Sequence, residues 1–186
     1  MARLCEEDFL KDLFDRGILY LSGEITAKMA EQFGRAVVWL NAAKKFEEIT
    51  LFIDSGGGSN IAALQIYDMV KYSKTPIRGV VYRRAYSSAA IILQACHVRS
   101  AFSSAEVLFH DLIVNEGVIC VTDSHSEIDK KLAAARARQH AAHLIIAKRS
   151  GRSLKEAAKF SKLEMNMSAT EALERGFLDE IIEHIP

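Results

Sequence analysis

Val80-Val81-Tyr82-Arg83-Arg84-Ala85-Tyr86-Ser87-Ser88-Ala89-Ala90 runs from an apolar, β-branched segment through a serine straight into small residues that favour a helix. Such a stretch is a buried strand delivered onto a helix N-terminus. At that junction backbone N–H groups lack intrahelical partners and carry partial positive charge, so an anion forming beside Ser87 meets donors already in place. A serine there is equally suited to cap the helix. The stretch carries both readings, nucleophile and N-cap, and its surroundings decide between them.

Outward from that stretch the same strand-to-helix alternation repeats. Ile18-Leu19-Tyr20-Leu21 reads as a strand ending at Ser22-Gly23, and Thr26 to Phe46 shows helical spacing through Met29, Phe33, Val37 and Leu40. Ile49-Thr50-Leu51-Phe52-Ile53 is a second strand, broken at Asp54-Ser55-Gly56-Gly57-Gly58-Ser59, with a helix behind it through Ile61, Leu64, Ile66, Tyr67 and Val70. Ile77 to Tyr82 and the helix after Ser87 follow, and Glu106-Val107-Leu108-Phe109 is a further strand with His110 at its end. Non-alternating apolar strands separated by helices predict an α/β fold with a mainly parallel sheet and right-handed crossovers. Sites in such folds lie at the carboxyl ends of the strands, where the glycine run, Ser87 and His110 all fall.

The second half changes period. Leu112 to Val121 reads as a strand or hairpin interrupted at Asn115-Glu116-Gly117, and Ser124-His125-Ser126-Glu127 is a capping box opening a long amphipathic helix that stops at Ser150-Gly151. Further capping boxes at Ser153-Leu154-Lys155-Glu156 and Ser168-Ala169-Thr170-Glu171 start short helices before a last strand, Phe177 to Ile182. Without a Pro-, Gly- or Ser-rich linker, residues 1–186 are expected to form a single domain. Trp39 is expected to pack its helix onto the sheet.

Composition removes several function classes. Lysine plus arginine and aspartate plus glutamate both number 24, so no global field favours nucleic acid or an anionic membrane. The three cysteines, Cys5, Cys96 and Cys120, are widely spaced and odd in number, which suits reduced thiols in a cytoplasmic protein. The acidic start, Met1-Ala2-Arg3-Leu4-Cys5-Glu6-Glu7-Asp8, lacks the apolar core of a signal peptide. Gly56-Gly57-Gly58 has neither the spacing of a dinucleotide fingerprint nor the lysine and hydroxyl of a P-loop. His140 and His143 have no third ligand spaced to complete a metal site. Neither a metal nor another cofactor is expected.

Four segments in register carry a resemblance. Asp54-Ser55-Gly56-Gly57-Gly58-Ser59, Ala85-Tyr86-Ser87-Ser88-Ala89-Ala90, Val107-Leu108-Phe109-His110, and Ser168-Ala169-Thr170-Glu171-Ala172 with Arg175-Gly176-Phe177-Leu178-Asp179 resemble the proteolytic subunit of the Clp protease family. The family pattern there is Asn-Ser-Pro-Gly-Gly, Ala-Ala-Ser-Met-Gly, Met-Ile-His-Gln-Pro and Ser-Ala-x-Glu-Ala with Tyr-Gly-Leu-Val-Asp. The resemblance implies a crotonase-type α/β fold of repeated strand-strand-helix units, with a protruding handle of a strand and the long helix at about residues 112–150. It implies a serine endopeptidase subunit in heptameric rings stacked into a tetradecamer, fed by an AAA+ unfoldase ATPase and cleaving peptides through an acyl-enzyme.

Carried over by position, the resemblance makes Ser87 the nucleophile, His110 the general base and Glu164 the orienting acid where the family has aspartate. Gly58 and Ser88 become oxyanion donors, with Gly57, Gly58 and Ser59 along the bound peptide. Four departures from the pattern stand out: Arg83, Arg84 and Tyr86, expected to crowd the approach to Ser87; Ala89; Asp111-Leu112 after the histidine; and the longer Glu164 side chain. They give weight to two rivals, a catalytically impaired ring subunit and, from fold kinship alone, a crotonase-type acyl-CoA enzyme.

Overall fold

Parallel pairing of buried strands organises the chain. The computed structural model describes residues 6–111, 120 and 122–185, so the strand or hairpin expected within Leu112 to Val121 lies, apart from Cys120, outside the described residues. Strands β1 (Ile18–Ile25), β2 (Ile49–Gly58), β3 (Ile77–Tyr86), β4 (Val98–Phe102) and β7 (Glu180–Ile182) lie side by side in that order, each parallel to the next. Strand β5 (Glu106–Leu108) joins the far end of β3 in parallel, and β6 (Asn166–Ser168) pairs antiparallel with β5. The helices are α1 (Glu6–Phe14), α2 (Ala27–Ala43), α3 (Asn60–Lys71), α4 (Ser88–Leu93), α5 (His125–Ser150), α6 (Leu154–Lys162) and α7 (Ala169–Glu174). This is the mixed α/β architecture the alternation predicts, and its apolar residues form one continuous core.

Three strands run further than their apolar segments. β1 continues past Ser22 through an irregularity between Ser22 and Glu24, where Gly23 takes φ 83°. A bulge of this kind needs the left-handed region that glycine enters without penalty. β2 does not break at Asp54 but carries the glycine run as strand, with Gly57 and Gly58 paired to Glu24 and Ile25 of β1. β3 extends through two arginines to Tyr86 because its last residues find a second partner, β5, at Arg84↔Glu106 and Tyr86↔Leu108. Pairing, which a local apolar pattern does not encode, sets these ends.

Other differences follow from tertiary contacts. The pattern did not anticipate α1, β4 or β6. β4 reads Val-Arg-Ser-Ala-Phe and looks polar, yet Arg99 and Ser100 are buried and paired with the chain's last strand region: Arg99 binds both carboxylate oxygens of Asp179, at 2.6 and 3.0 Å, and Ser100 Oγ donates to Glu180 at 2.7 Å. Trp39 does not face the sheet. It is half exposed and its ring lies 5.0 Å from that of Phe14, joining α1 to α2.

The predicted capping boxes are present at Ser124, Ser153 and Ser168, each with its glutamate side chain returning to the cap amide. Helix α5 has 26 residues and is therefore about 39 Å long. Only Ala135 and Ile146 of it are buried, and Leu144 stands in solvent. Among the described residues no helix is long and apolar enough to cross a membrane.

Candidate active site

The register between β3 and β5 creates the site. With Tyr86 opposite Leu108, the residues that follow the two strands emerge at one edge of the sheet. The Ser87 N–H donates to Leu108 O at 2.8 Å, which fastens the strand-to-helix turn to the strand carrying His110. Ser87 sits at φ 56° and ψ −123°, and its hydroxyl makes no capping hydrogen bond to α4. A non-glycine residue in such a region costs about 1–3 kcal/mol and persists only where the surroundings impose it. The N-cap reading of Ser87 therefore fails, and its hydroxyl is left unengaged by the helix behind it.

Glycine in the adjacent strand makes the turn possible. At φ 97°, Gly57 backs directly onto Ser87: a Cβ there would lie 2.8 Å from Ser87 Cβ and 3.2 Å from its Oγ. Gly58, at φ 150°, presses on β1, where a Cβ would stand 2.7 Å from Ile25 N. Ser88 opens α4, so its N–H has no carbonyl within its own helix to meet, and its Oγ approaches Gly58 O at 3.5 Å. Ser59 is already engaged. Its N–H goes to Ile25 O at 2.8 Å, its carbonyl accepts from Ala63 N at 2.9 Å, and its hydroxyl caps α3 through Ala62 N at 3.3 Å.

Ser87 and His110 line one small cavity of about 20 Å³, walled on the α5 side by Gln139, Ala142 and Ile146. Among the described residues no hydrogen bond joins the Ser87 hydroxyl to the His110 ring. His110 Nδ1 lies 2.6 Å from Asp111 O. A carbonyl only accepts, so Nδ1 carries the proton and Nε2 of the neutral ring keeps its lone pair. Larger grooves lie away from this edge, one of about 780 Å³ between α2 and α3 and one of about 660 Å³ beside Tyr20, Met29, Phe33 and Tyr82.

Glu164 is not brought to this cavity. It lies in the turn between α6 and β6 at φ 47°, exposed, and among the described residues its carboxylate has no hydrogen bond or ion pair. The residues expected to crowd Ser87 turn elsewhere. Arg83 and Arg84 reach back to Asp54 at 3.6 and 3.3 Å, and the Tyr86 hydroxyl bonds Glu106, to which Asn166 also donates. Burial and that hydrogen bond raise the Tyr86 pKa, while the Tyr86 and Asn166 donors lower that of Glu106.

Three residues around the histidine, Asp111, Gln139 and His143, were missed as part of the site. Asp111 Oδ1 accepts from Gln139 Nε2 at 2.9 Å, and His143 Nε2 lies 2.5 Å from that same amide nitrogen and 3.2 Å from Asp111 Oδ1, so the residue after His110 is tied to α5. The spacing of Gln139 and His143, one helical turn apart, was the available signal. Among the described residues no cluster of histidine, cysteine and carboxylate could hold a metal ion.

An α/β chain with a strained, uncapped serine and a histidine at one sheet edge has the layout of a hydrolase site. The family model for Clp protease matches residues 4–185. The ATP-dependent Clp protease proteolytic subunit of Streptococcus sanguinis (strain SK36) is 28% identical over 179 residues, covering 95% of this chain and 90% of the relative. The ATP-dependent Clp protease proteolytic subunit 1 of Bifidobacterium longum (strain NCC 2705) is 26% identical over 180 residues, covering 96% of this chain and 76% of the relative. The chain belongs to the Clp protease family and is a divergent member of it, in a family of peptidases.

Proposed function

We propose that the chain is the subunit of a cytoplasmic, ring-forming serine endopeptidase that cleaves unfolded proteins or peptides inside a chamber. Ser87 Oγ attacks the scissile carbonyl while His110 Nε2 takes its proton; the tetrahedral intermediate collapses to an acyl-enzyme as His110 returns that proton to the leaving amine. Water, deprotonated by the same nitrogen, then releases the acyl group and restores Ser87. The N–H groups of Gly58 and Ser88 receive the developing oxyanion. An extended peptide lies as an added strand beside Gly58, since both backbone groups of Ser59 and the N–H of Gly57, which donates to Ser55 Oγ at 3.1 Å, are engaged within the chain. Glu164 stands at the sequence position of the family's orienting acid, but its exposed carboxylate leaves the orientation of His110 to other groups.

The single observation that carries this reading is Ser87 itself, held at φ 56° and ψ −123° with its hydroxyl uncapped and sharing a cavity with His110. Assembly into stacked heptamers is supported by the long, mostly uncovered α5, and docking of an ATPase by the cluster of Tyr20, Phe52 and Tyr82, whose rings lie 5.2–6.3 Å apart. A fluorophosphonate probe should label Ser87 in the assembled protein, and Ser87→Ala should abolish both labelling and peptide cleavage; an assembled ring whose Ser87 resists the probe would overturn the reading.

A second reading, an impaired ring subunit that associates with an active paralogue, is favoured by the exposed Glu164. Native mass spectrometry of the chain alone and mixed with an active subunit separates the two, because an active homo-oligomer needs no partner.

A further inference from the structure

The geometry points to Asp111 as the positioning residue for His110, holding the ring from helix α5. The inference rests on the reading of Ser87 and His110 as nucleophile and base, and concerns what sets the tautomer and direction of the imidazole. Two bonds act in series. His110 Nδ1 donates to the main-chain carbonyl of Asp111 at 2.6 Å. The Asp111 side chain is in turn held by Gln139, whose Nε2 donates to Oδ1 at 2.9 Å, and His143, one turn along α5, steadies that amide with its Nε2 2.5 Å from Gln139 Nε2 and 3.2 Å from Asp111 Oδ1.

The direction of a peptide carbonyl at the end of a strand is free to rotate unless something fixes the residue. Here β5 ends at Leu108, and among the described residues the Asp111 carboxylate ties this end to α5. Gln139 is also a wall of the cavity shared by Ser87 and His110, so the same helix that closes the cavity sets the ring within it. Asp111 acts through His110, not on the substrate. With Nδ1–H committed to the carbonyl, Nε2 keeps its lone pair on a ring that lines the same cavity as Ser87, which is the protonation state a general base needs. The job that a carboxylate performs in a Ser-His-acid triad is done by a carbonyl whose aim is set by a carboxylate one step removed. Glu164, exposed and unbonded among the described residues, contributes less to it.

The test compares Asp111→Ala, Asp111→Asn, His143→Leu and Glu164→Gln in the full-length, assembled protein, each checked for unchanged thermal unfolding and ring mass. Two readouts are used: kcat and KM on a fluorogenic peptide, and ¹⁵N solid-state spectra of sedimented, histidine-labelled protein, with His110 assigned by its absence in His110→Ala. Asp111→Ala and His143→Leu should lower kcat by about tenfold or more with KM within about twofold, since a misaimed base slows chemistry without weakening binding. Asp111→Asn, which keeps an acceptor for Gln139, should recover most of the loss. In the spectra the His110 Nδ1 signal should be that of a protonated nitrogen in the wild type and in Glu164→Gln, and a tautomer mixture in Asp111→Ala. An Asp111→Ala protein whose His110 keeps its Nδ1 proton overturns the inference, as does a Glu164→Gln protein that loses it. If the wild type neither cleaves peptide nor takes a fluorophosphonate, the peptidase reading falls, and the spectra alone still decide the role of Asp111.

Discussion

The Cβ that Gly57 lacks would stand 2.8 Å from the Cβ of Ser87. Real Cβ atoms do not come so close, so the strained turn at Ser87 exists only because its neighbour in β2 has no side chain. Gly57→Ala adds a methyl into that contact and forces φ 97° on an L-residue. It is expected to cost about 1–3 kcal/mol of stability and to lower the fluorophosphonate labelling rate of Ser87 by at least about 100-fold. Chemical denaturation and labelling kinetics check the two effects; a labelling rate equal to wild type would separate the turn from reactivity.

Ser87→Ala discriminates between a cap and a nucleophile by stability alone. Loss of a true serine N-cap costs about 1 kcal/mol. The Ser87 hydroxyl caps nothing, so the variant should unfold within about 0.5 kcal/mol of wild type while losing all peptide cleavage. Thermal unfolding at matched protein concentration is the measurement, and a drop of the size expected for a cap would contradict the geometry.

The joint between β4 and the chain's end should respond to acid. Burial works to raise the Asp179 pKa, but hydrogen bonds from the Arg99 side chain and amide, together with the charges of Arg99 and Arg149, outweigh it and leave the pKa lowered from 3.8. A carboxyl depressed on folding contributes stability that is full above its unfolded value and is lost as pH falls through its folded one. Wild type should therefore lose part of its stability as pH drops below about 4, and Asp179→Asn should be less stable at neutral pH with a shallower acid dependence. Parallel curves for the two proteins between neutral pH and pH 3 would refute the assignment. Arg99 has a side chain only 6% exposed, so Arg99→Ala removes a buried charge and its bonds together, at about 3 kcal/mol.

Thiol chemistry offers a check on the core. Burial pushes the Cys96 thiol up to about 12, whereas Cys120 is exposed. Iodoacetamide at pH 8 should modify Cys120 and spare Cys96 until the protein unfolds. Mass mapping after a short pulse reads this directly, and early alkylation of Cys96 would mean that the packing of α4 on β3 opens.

Much of the fold was legible because the first halves of β2 and β3 are largely buried apolar runs and several helices start with strong capping signals. Ser124, Ser153 and Ser168 announce their helices in four residues each, and Ile49 to Ile53 can be nothing but buried. What escaped were features made by pairing. The glycine run reads as a loop yet is strand, because β1 offers Glu24 and Ile25 as partners. β4 reads as polar because Arg99 is satisfied by Asp179, a residue far along the chain. In the site, Ser87 and His110 could be nominated from their places at strand ends, and both line one cavity. The surroundings of the histidine could not, since Asp111, Gln139 and His143 meet only when α5 folds back.

The bond from the Ser87 N–H to Leu108 O has a mechanical consequence. It pins the turn that opens α4 to β5, two residues before His110, so the backbones that carry the serine and the histidine are coupled at this point. If Ser87 and His110 are the reacting pair, the rate can be tuned through α5, which closes the cavity from one side and holds Asp111. Assembly that clamps α5 would then work as a throttle on a fixed engine, altering how often the chemistry is permitted without rebuilding its parts.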